Sequence, residues 1–172
     1  TLTVTDEQGN VQTGTAVVTV EDTEIPTVAG QNITVALDSD GAATITTADV
    51  DDGSSDNCTL SLSIDVSSFD CNNLGANAVV LTGTDETGNS ATANVTVTIV
   101  DDMDPTVVTQ DTTVSLDVNG FVTVTASDLD NGSSDNCSDN ANLTFEFDTD
   151  GDSVPDSATT TLQCSDIGDT TF

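Results

Sequence analysis

The sequence predicts an all-β protein, built from small β-sandwich repeats in tandem and arranged as a rod. Two observations carry that expectation. Apolar residues alternate with Thr, Ser or Asp, as in Leu60, Leu62 and Ile64 and again in Val95, Val97 and Ile99. That period of two marks half-buried strands. The second observation is repetition at a fixed spacing. The block LTVTDEQGN at Leu2 returns as LTGTDETGN at Leu81, and blocks headed by Asp22, Leu37 and Asp49 return at Asp101, Leu116 and Asp128. Each offset is 79 residues (2 to 81, 22 to 101, 37 to 116, 49 to 128).

The elements of one repeat follow in order. A strand over 32–37 leads to Asp40-Gly41, a tight-turn pair that predicts a hairpin with a second strand over 42–47. Asn119-Gly120 predicts the same hairpin one repeat later. An acidic loop at 49–57 precedes strand 60–64. A strand over 78–84 and a last strand over 93–100 are joined by the loop DETGN at 85–89. About seven short strands per repeat make a small sandwich. Thr and Val dominate, as pleated surfaces favour, and no stretch shows helical spacing. With five Phe and no Trp or Tyr, the core is thin and calls for crosslinks or ions.

The register of repetition breaks once. DCNNLG at Asp70 answers QCSDIG at Gln163, an offset of 93, so 14 residues (93 less 79) are inserted between Cys137 and Cys164. With Pro26 and Pro105 marking repeat starts, residues 1–25 read as the C-terminal part of one repeat, 26–104 as a complete repeat, and 105–172 as the N-terminal part of a third with the insertion. The expectation is a segment of a longer chain.

Charge bounds the function. Among 172 residues there are 31 acids and no Lys, Arg or His, for a formal charge of −31. Such a chain lacks the basic footprint of a nucleic-acid reader and is repelled by anionic membrane surfaces. No apolar run approaches the roughly 18 residues of a membrane span, and no stretch reads as a signal peptide. Catalysis by a nucleophile and its base requires His, Lys or an equivalent. A carboxylate pair of the glycosidase type is not distinguishable among so many acids. The chain reads as a non-enzyme.

The acids concentrate in loops. DVDDGSSDNC at Asp49–Cys58 recurs as DLDNGSSDNC at Asp128–Cys137. In a sandwich threaded from one end to the other, the loop at 49–57, the linker at 22–26 and the hairpin at 85–89 fall at the same end. That convergence brings together Asp22, Glu24, Asp49, Asp51, Asp52, Asp56 and Asp85, with Glu86 beside them. The next junction repeats it with Asp101, Asp102, Asp104, Asp128, Asp130, Asn131 and Asp135. Two carboxylates about 4 Å apart repel by roughly 4 kcal/mol at an effective dielectric of 20. Ca²⁺ is the expected counter-charge, since it accepts six to eight oxygens in flexible geometry, whereas softer metals want imidazole or thiolate. The alternative is a solvated acidic surface. In the insertion, DTDGDSVPD places Asp148, Asp150, Asp152 and Asp156 at positions 1, 3, 5 and 9 of a loop between strand-like flanks. This is calcium-loop spacing without the closing Glu of an EF-hand, position 12 being Thr159.

The four cysteines fall two per repeat. Cys58 with Cys71 and Cys137 with Cys164 are expected to form disulfides within each repeat, each bridge closing the base of the segment after the acidic loop. Free buried thiols are the alternative. A bridge at the base leaves the path of residues 72–77 hard to draw. Sequons of the N-x-[ST] type occur at Asn32, Asn57, Asn94, Asn136 and Asn142.

The pattern SSDNC, LG, TDETGN, VTVTIVDDMDP resembles hyalin-type (HYR) repeats, which are immunoglobulin-like extracellular modules. Its acidic Thr/Val-rich tandem style is similar to the giant SprB-type adhesins of gliding Bacteroidetes, exported by type IX secretion. The Cys that commonly follows the GN turn in HYR repeats is missing from SATANVTV, so their disulfide pattern does not transfer. The resemblance implies tandem immunoglobulin-like sandwiches at the cell surface, an adhesive or stalk-forming role in gliding motility, and no catalysis. The expected function is a structural stalk or filament segment of a calcium-stiffened repeat adhesin, with neighbouring repeats as partners. The alternative is a calcium-dependent module that binds a surface polysaccharide or another adhesin chain.

Overall fold

A computed structural model describes residues 1–138, 142–168 and 170–171. The chain is mostly strand, with little helix and several sheets. Strands β1 (Leu2–Thr5) and β2 (Val11–Gly14) form an antiparallel hairpin with Leu2 opposite Gly14, exposed throughout. Four strands form one sheet in the order β3 (Ile33–Ala36), β8 (Ser90–Val100), β7 (Gly75–Asp85), β5 (Leu60–Ile64). β3 runs parallel to β8, with Ile33 opposite Val97, and β5 runs antiparallel to β7, with Leu60 opposite Asp85. Two further antiparallel pairs stand as separate sheets: β4 (Ala42–Thr44) with β6 (Ser68–Asp70), and β9 (Phe121–Thr125) with β10 (Thr159–Gln163).

The 85–89 loop joins β7 to β8 as predicted. The Asp40-Gly41 and Asn119-Gly120 turns also form, but the hairpins predicted around them do not. Gly41 takes φ +69°, its N–H reaching Asp38 O, and Gly120 takes φ +84°. Yet β3 pairs with β8 while β4 pairs with β6. The turn hands the chain from one sheet to another, because Val35 and Ala43 find their cross-strand partners elsewhere. The second predicted strand also stops early. Thr46 and Asp49 start a single helical turn, α1 (Thr47–Val50), in which Asp49 Oδ2 accepts from both the backbone N–H and the hydroxyl of Thr46 at 2.7 Å. One turn is too short to leave a helical period in the sequence. In the insertion, β10 pairs with β9, while Phe147 bridges Ser157 at the base of the loop.

The 79-residue repeat persists in the backbone. Thr27 bridges Ser55 as Thr106 bridges Ser134, and Gly30 bridges Asp51 as Thr109 bridges Asp130. The β9–β10 register, with Phe121 opposite Gln163, reproduces Ala42 opposite Asp70 in β4–β6, so the inserted residues are absorbed before β10.

Contacts group the chain into two compact units. The first comprises residues 1–32, 46–67 and 78–96, and the second 33–45, 68–77 and 97–172. The first buries Val50, Val79, Leu81 and Val95. Gly83 belongs to this packing: a Cβ there would lie 2.7 Å from Val28 Cγ2. The second unit buries Leu37, Ile45, Phe69, Val97 and Ile99, together with a cluster of Val124, Ala126 and Phe147 covered by Leu129, Phe145 and Leu162.

The disulfide corrects the expected pairing. Cys71 is bonded to Cys137, while Cys58 and Cys164 are free and exposed. The expected Cys58–Cys71 bridge fails because its segment changes sheets: β5 after Cys58 pairs with β7, whereas β6 before Cys71 pairs with β4. Cys71 is thereby set beside the Gly41 turn, its sulfur 3.7 Å from Gly41 O. A short 3-10 turn, Cys71–Asn73, capped by Asp70, then feeds directly into β7. With Cys71 placed there, residues 72–77 have no return path to make.

Candidate metal centres

In the first unit the linker, the acidic loop and the DETGN hairpin meet around Asp22. The backbone oxygen of Asp22 accepts from Thr87 Oγ1 at 3.2 Å and Asn89 Nδ2 at 3.3 Å. Its Oδ1 accepts from Glu24 N at 3.1 Å and Asn57 Nδ2 at 3.3 Å. Its Oδ2 is buried and has no hydrogen-bond partner. Ligand atoms of Asp22, Asp56 and Cys58 lie within 4.8 Å of one another. The Glu24 N–H, with Cys58 and Asn57, holds the Asp22 carboxyl below its ordinary range despite the neighbouring charge of Asp85. Hydrogen bonding to the Asp22 carboxylate, together with its negative charge, pushes the Cys58 thiol up.

The other acids predicted at this junction hold the loop itself. Asp49 caps α1, and the Thr46 donors depress its pKa. Asp51 Oδ1 accepts from Ser54 N at 3.0 Å, and Ser54 likewise holds its carboxyl down. Asp52 ties the loop through its backbone N–H to Ala29 O. Asp56 Oδ2 accepts from Cys58 N at 2.8 Å. Asp85 is only 7% exposed. Its Oδ1 accepts three backbone N–H groups, from Thr87, Gly88 and Asn89 at 2.7–2.9 Å, and Oδ2 accepts Asn89 Nδ2 at 2.8 Å. Burial works to raise its pKa, but these donors outweigh burial and leave it lowered.

The second acidic loop copies this scaffold in the second unit. Asp128 Oδ2 accepts from Thr125 N at 3.2 Å, and Asp130 Oδ1 from Ser133 N at 2.8 Å. Asn131 ties its backbone N–H to Val108 O, as Asp52 does to Ala29 O. Asp135 Oδ2 accepts from Cys137 N and Ser138 N. Asp101 Oδ1 accepts from Met103 N, Asp102 is exposed outside any strand or helix, and Asp104 and Asp135 line one small hollow with Ser39 and Thr106. Among the described residues, this copy does not bring three candidate ligand groups within the spacing seen at Asp22. Gln31 and Gln110 clamp these loops, a role that no residue spacing or composition signals. Each amide reaches two loop carbonyls, Asp49 O and Asp51 O at 3.2 and 3.4 Å, and Asp128 O and Asp130 O at 3.3 and 2.9 Å.

In the insertion, Asp148, Asp150 and Asp156 bring ligand oxygens within 4.8 Å of one another, all exposed. The loop is closed at its base by Phe147 and Ser157, with Asp156 N donating to Phe147 O at 2.8 Å. Gly151 at φ +77° and Ser153 at φ +65° curl it inward. Asp148 accepts the N–H groups of Gly151 and Ser153 at 2.7 and 2.9 Å, and the Thr149 side chain and N–H lower the Asp156 pKa. Asp152 Oδ1 turns to Val154 N. No helix among the described residues is long and apolar enough to cross a membrane. No known protein family, curated protein or solved structure matches the chain.

Proposed function

We propose that this chain is a stalk segment of an extracellular repeat adhesin, made of immunoglobulin-like sandwich repeats whose acidic loops are stiffened by Ca²⁺. The observation that carries the reading is Asp22 Oδ2, a buried carboxylate oxygen that no backbone N–H or side-chain amide reaches, beside Asp56 in a chain with no cationic side chain. A buried, unpaired charge is costly, and native structures supply such atoms with a partner, a water or an ion. Oxygen donors suit Ca²⁺. Asp22 and Asp56 would hold it at the first loop, with the Cys58 thiol left out of its coordination. Asp148, Asp150 and Asp156 would hold it in the insertion. Bound there, the cation supplies counter-charge and rigidity and no chemistry of bond making. The disulfide is consistent with an oxidising, exported location.

Calorimetric titration with Ca²⁺ tests the reading. Heat of binding is expected in two separable parts, one lost in Asp56→Asn and the other in Asp156→Asn. Chelation is expected to expose residues 20–28 to protease. No binding heat, with proteolysis and melting identical in calcium and in chelator, would reject it. A second reading, a calcium-dependent module gripping a surface or polysaccharide, is favoured by one observation. The 148–156 loop lies in the insertion, outside the repeat pattern, and its acids are exposed. Deleting residues 148–157 abolishes adhesion under that reading and leaves it intact under the first.

A further inference from the structure

We propose that Cys164 and Cys58 are the two halves of a disulfide between repeats. The Ser54–Cys58 loop of another copy of this repeat docks on the Asp117–Phe121 turn and is bonded there to Cys164. The inference stands on the cysteines alone and does not rest on the cation reading.

The finished bond already exists one repeat earlier. Cys71 and Cys137 belong to successive sequence repeats. Cys71 Sγ sits over the Gly41 turn, 3.7 Å from Gly41 O, and Cys164 Sγ sits over the Gly120 turn, 3.8 Å from Gly120 O. A Cβ on either glycine would lie 2.7 Å from that sulfur. The turns match in detail. Asp38 Oδ1 accepts the N–H groups of residues 40 and 42 at 2.9 and 3.0 Å, and Asp117 Oδ1 accepts those of 119 and 121 at 2.8 and 3.0 Å. The registers of β4–β6 and β9–β10, which deliver the two sulfurs, are the same.

The difference lies in what covers each turn. Over Gly41 lies the loop that carries Cys137: Asn136 Nδ2 donates to Asp38 O at 3.0 Å, and Asn136 O would be 2.9 Å from a Cβ on Gly41. Over Gly120, a Cβ would meet only Cys164 among the described residues. The missing counterpart is present elsewhere on the chain. Ser54–Cys58 has the sequence of Ser133–Cys137, its Asp56 accepts Cys58 N as Asp135 accepts Cys137 N, and its thiol is free and exposed. One site is filled, and each half of a second is presented.

The bond needs a disulfide oxidant, here oxidised glutathione. The Cys164 thiolate attacks one glutathione sulfur and releases one glutathione thiol. Cys58 of the second copy then attacks the Cys164 sulfur, forms the protein disulfide and displaces the second glutathione. Two thiols and one glutathione disulfide become one protein disulfide and two glutathione thiols.

The test mixes equal amounts of two full-length chains, Cys58→Ser and Cys164→Ser, each keeping the Cys71–Cys137 bridge. It is run with oxidised glutathione at about 0.15 M salt, where the Debye length of about 8 Å screens repulsion between the acidic chains. Parallel arms contain chelator or calcium. Non-reducing electrophoresis and peptide mapping read the products. Random collision gives heterodimer at only about twice either homodimer. The proposal expects several-fold more, linked Cys164 to Cys58, in both arms. A random product ratio, glutathione adducts alone, or reshuffling of Cys137 onto Cys164 would overturn it. Loss of the calcium response alone would touch only the cation reading.

Discussion

At the scale of single residues, Asp85 shows what most of these carboxylates do. It is buried at the tip of β7 and β8 and spends both oxygens on hairpin donors. Asp6, its equivalent in DEQGN, accepts from Gln8 N, Asn10 N and Asn10 Nδ2 in the same way while exposed. Asp85→Asn is therefore expected to lower the melting temperature near neutral pH more than Asp6→Asn does. The sign of the pH dependence follows from the lowered pKa of Asp85. Its stabilisation is present above the ordinary carboxylate pKa of about 3.9 and is lost as pH falls through the lower folded value. Thermal melts of wild type and Asp85→Asn should separate at pH 7 and converge as the pH drops below about 4. Constant separation across that range would show that the charge of Asp85 is not what stabilises the hairpin. Sequence reasoning saw the acids of both loops and their recurrence. It did not see that Asp49, Asp51 and Asp128 cap local backbone, because D-x-D spacing is the same for a cap and for a ligand.

At the scale of elements, the alternation of Leu60, Leu62 and Ile64 and of Val95, Val97 and Ile99 located β5 and β8 correctly. Period two states which face is buried but not which strand lies alongside, so β3 with β8 and β4 with β6 were not legible. Leu81, fully buried in β7, carries the packing consequence. Leu81→Ala is expected to cost about 2–5 kcal/mol, through lost transfer energy and a cavity. Denaturant unfolding measures it, and a cost under about 1 kcal/mol would mean that this core is loosely packed. Phe147 combines two roles, since it is buried with Val124 and Ala126 and also closes the base of the 148–156 loop. Phe147→Ala should cost about 3–5 kcal/mol and weaken any calcium binding by that loop without removing a carboxylate. Unchanged titration heat in this variant would show that the loop holds its shape without its base.

At the scale of the molecule, two forces oppose each other. A formal charge of −31 works against compaction, and salt is expected to raise the melting temperature by screening it. The Cys71–Cys137 bond works the other way. Its sequence separation of 66 residues corresponds to about 4 kcal/mol in the chain-entropy view of an unfolded loop of that size. Reduction, or paired Cys71→Ser and Cys137→Ser, should lower stability by up to that amount, read as a shifted denaturant midpoint. No shift would place the bond's role in holding repeats together and not in folding.

What the sequence alone determined is periodic: the strand character, the 79-residue repeat, the acidic loops and the even cysteine count. All of these are written in residue type and spacing along one dimension. What only the tertiary structure decided is pairing: β3 with β8, Cys71 with Cys137, Asp22 with the hairpin at Asp85. Pairing depends on where a turn sends the chain in space. A turn that keeps a strand in its sheet and a turn that passes it to another can carry the same Asp-Gly.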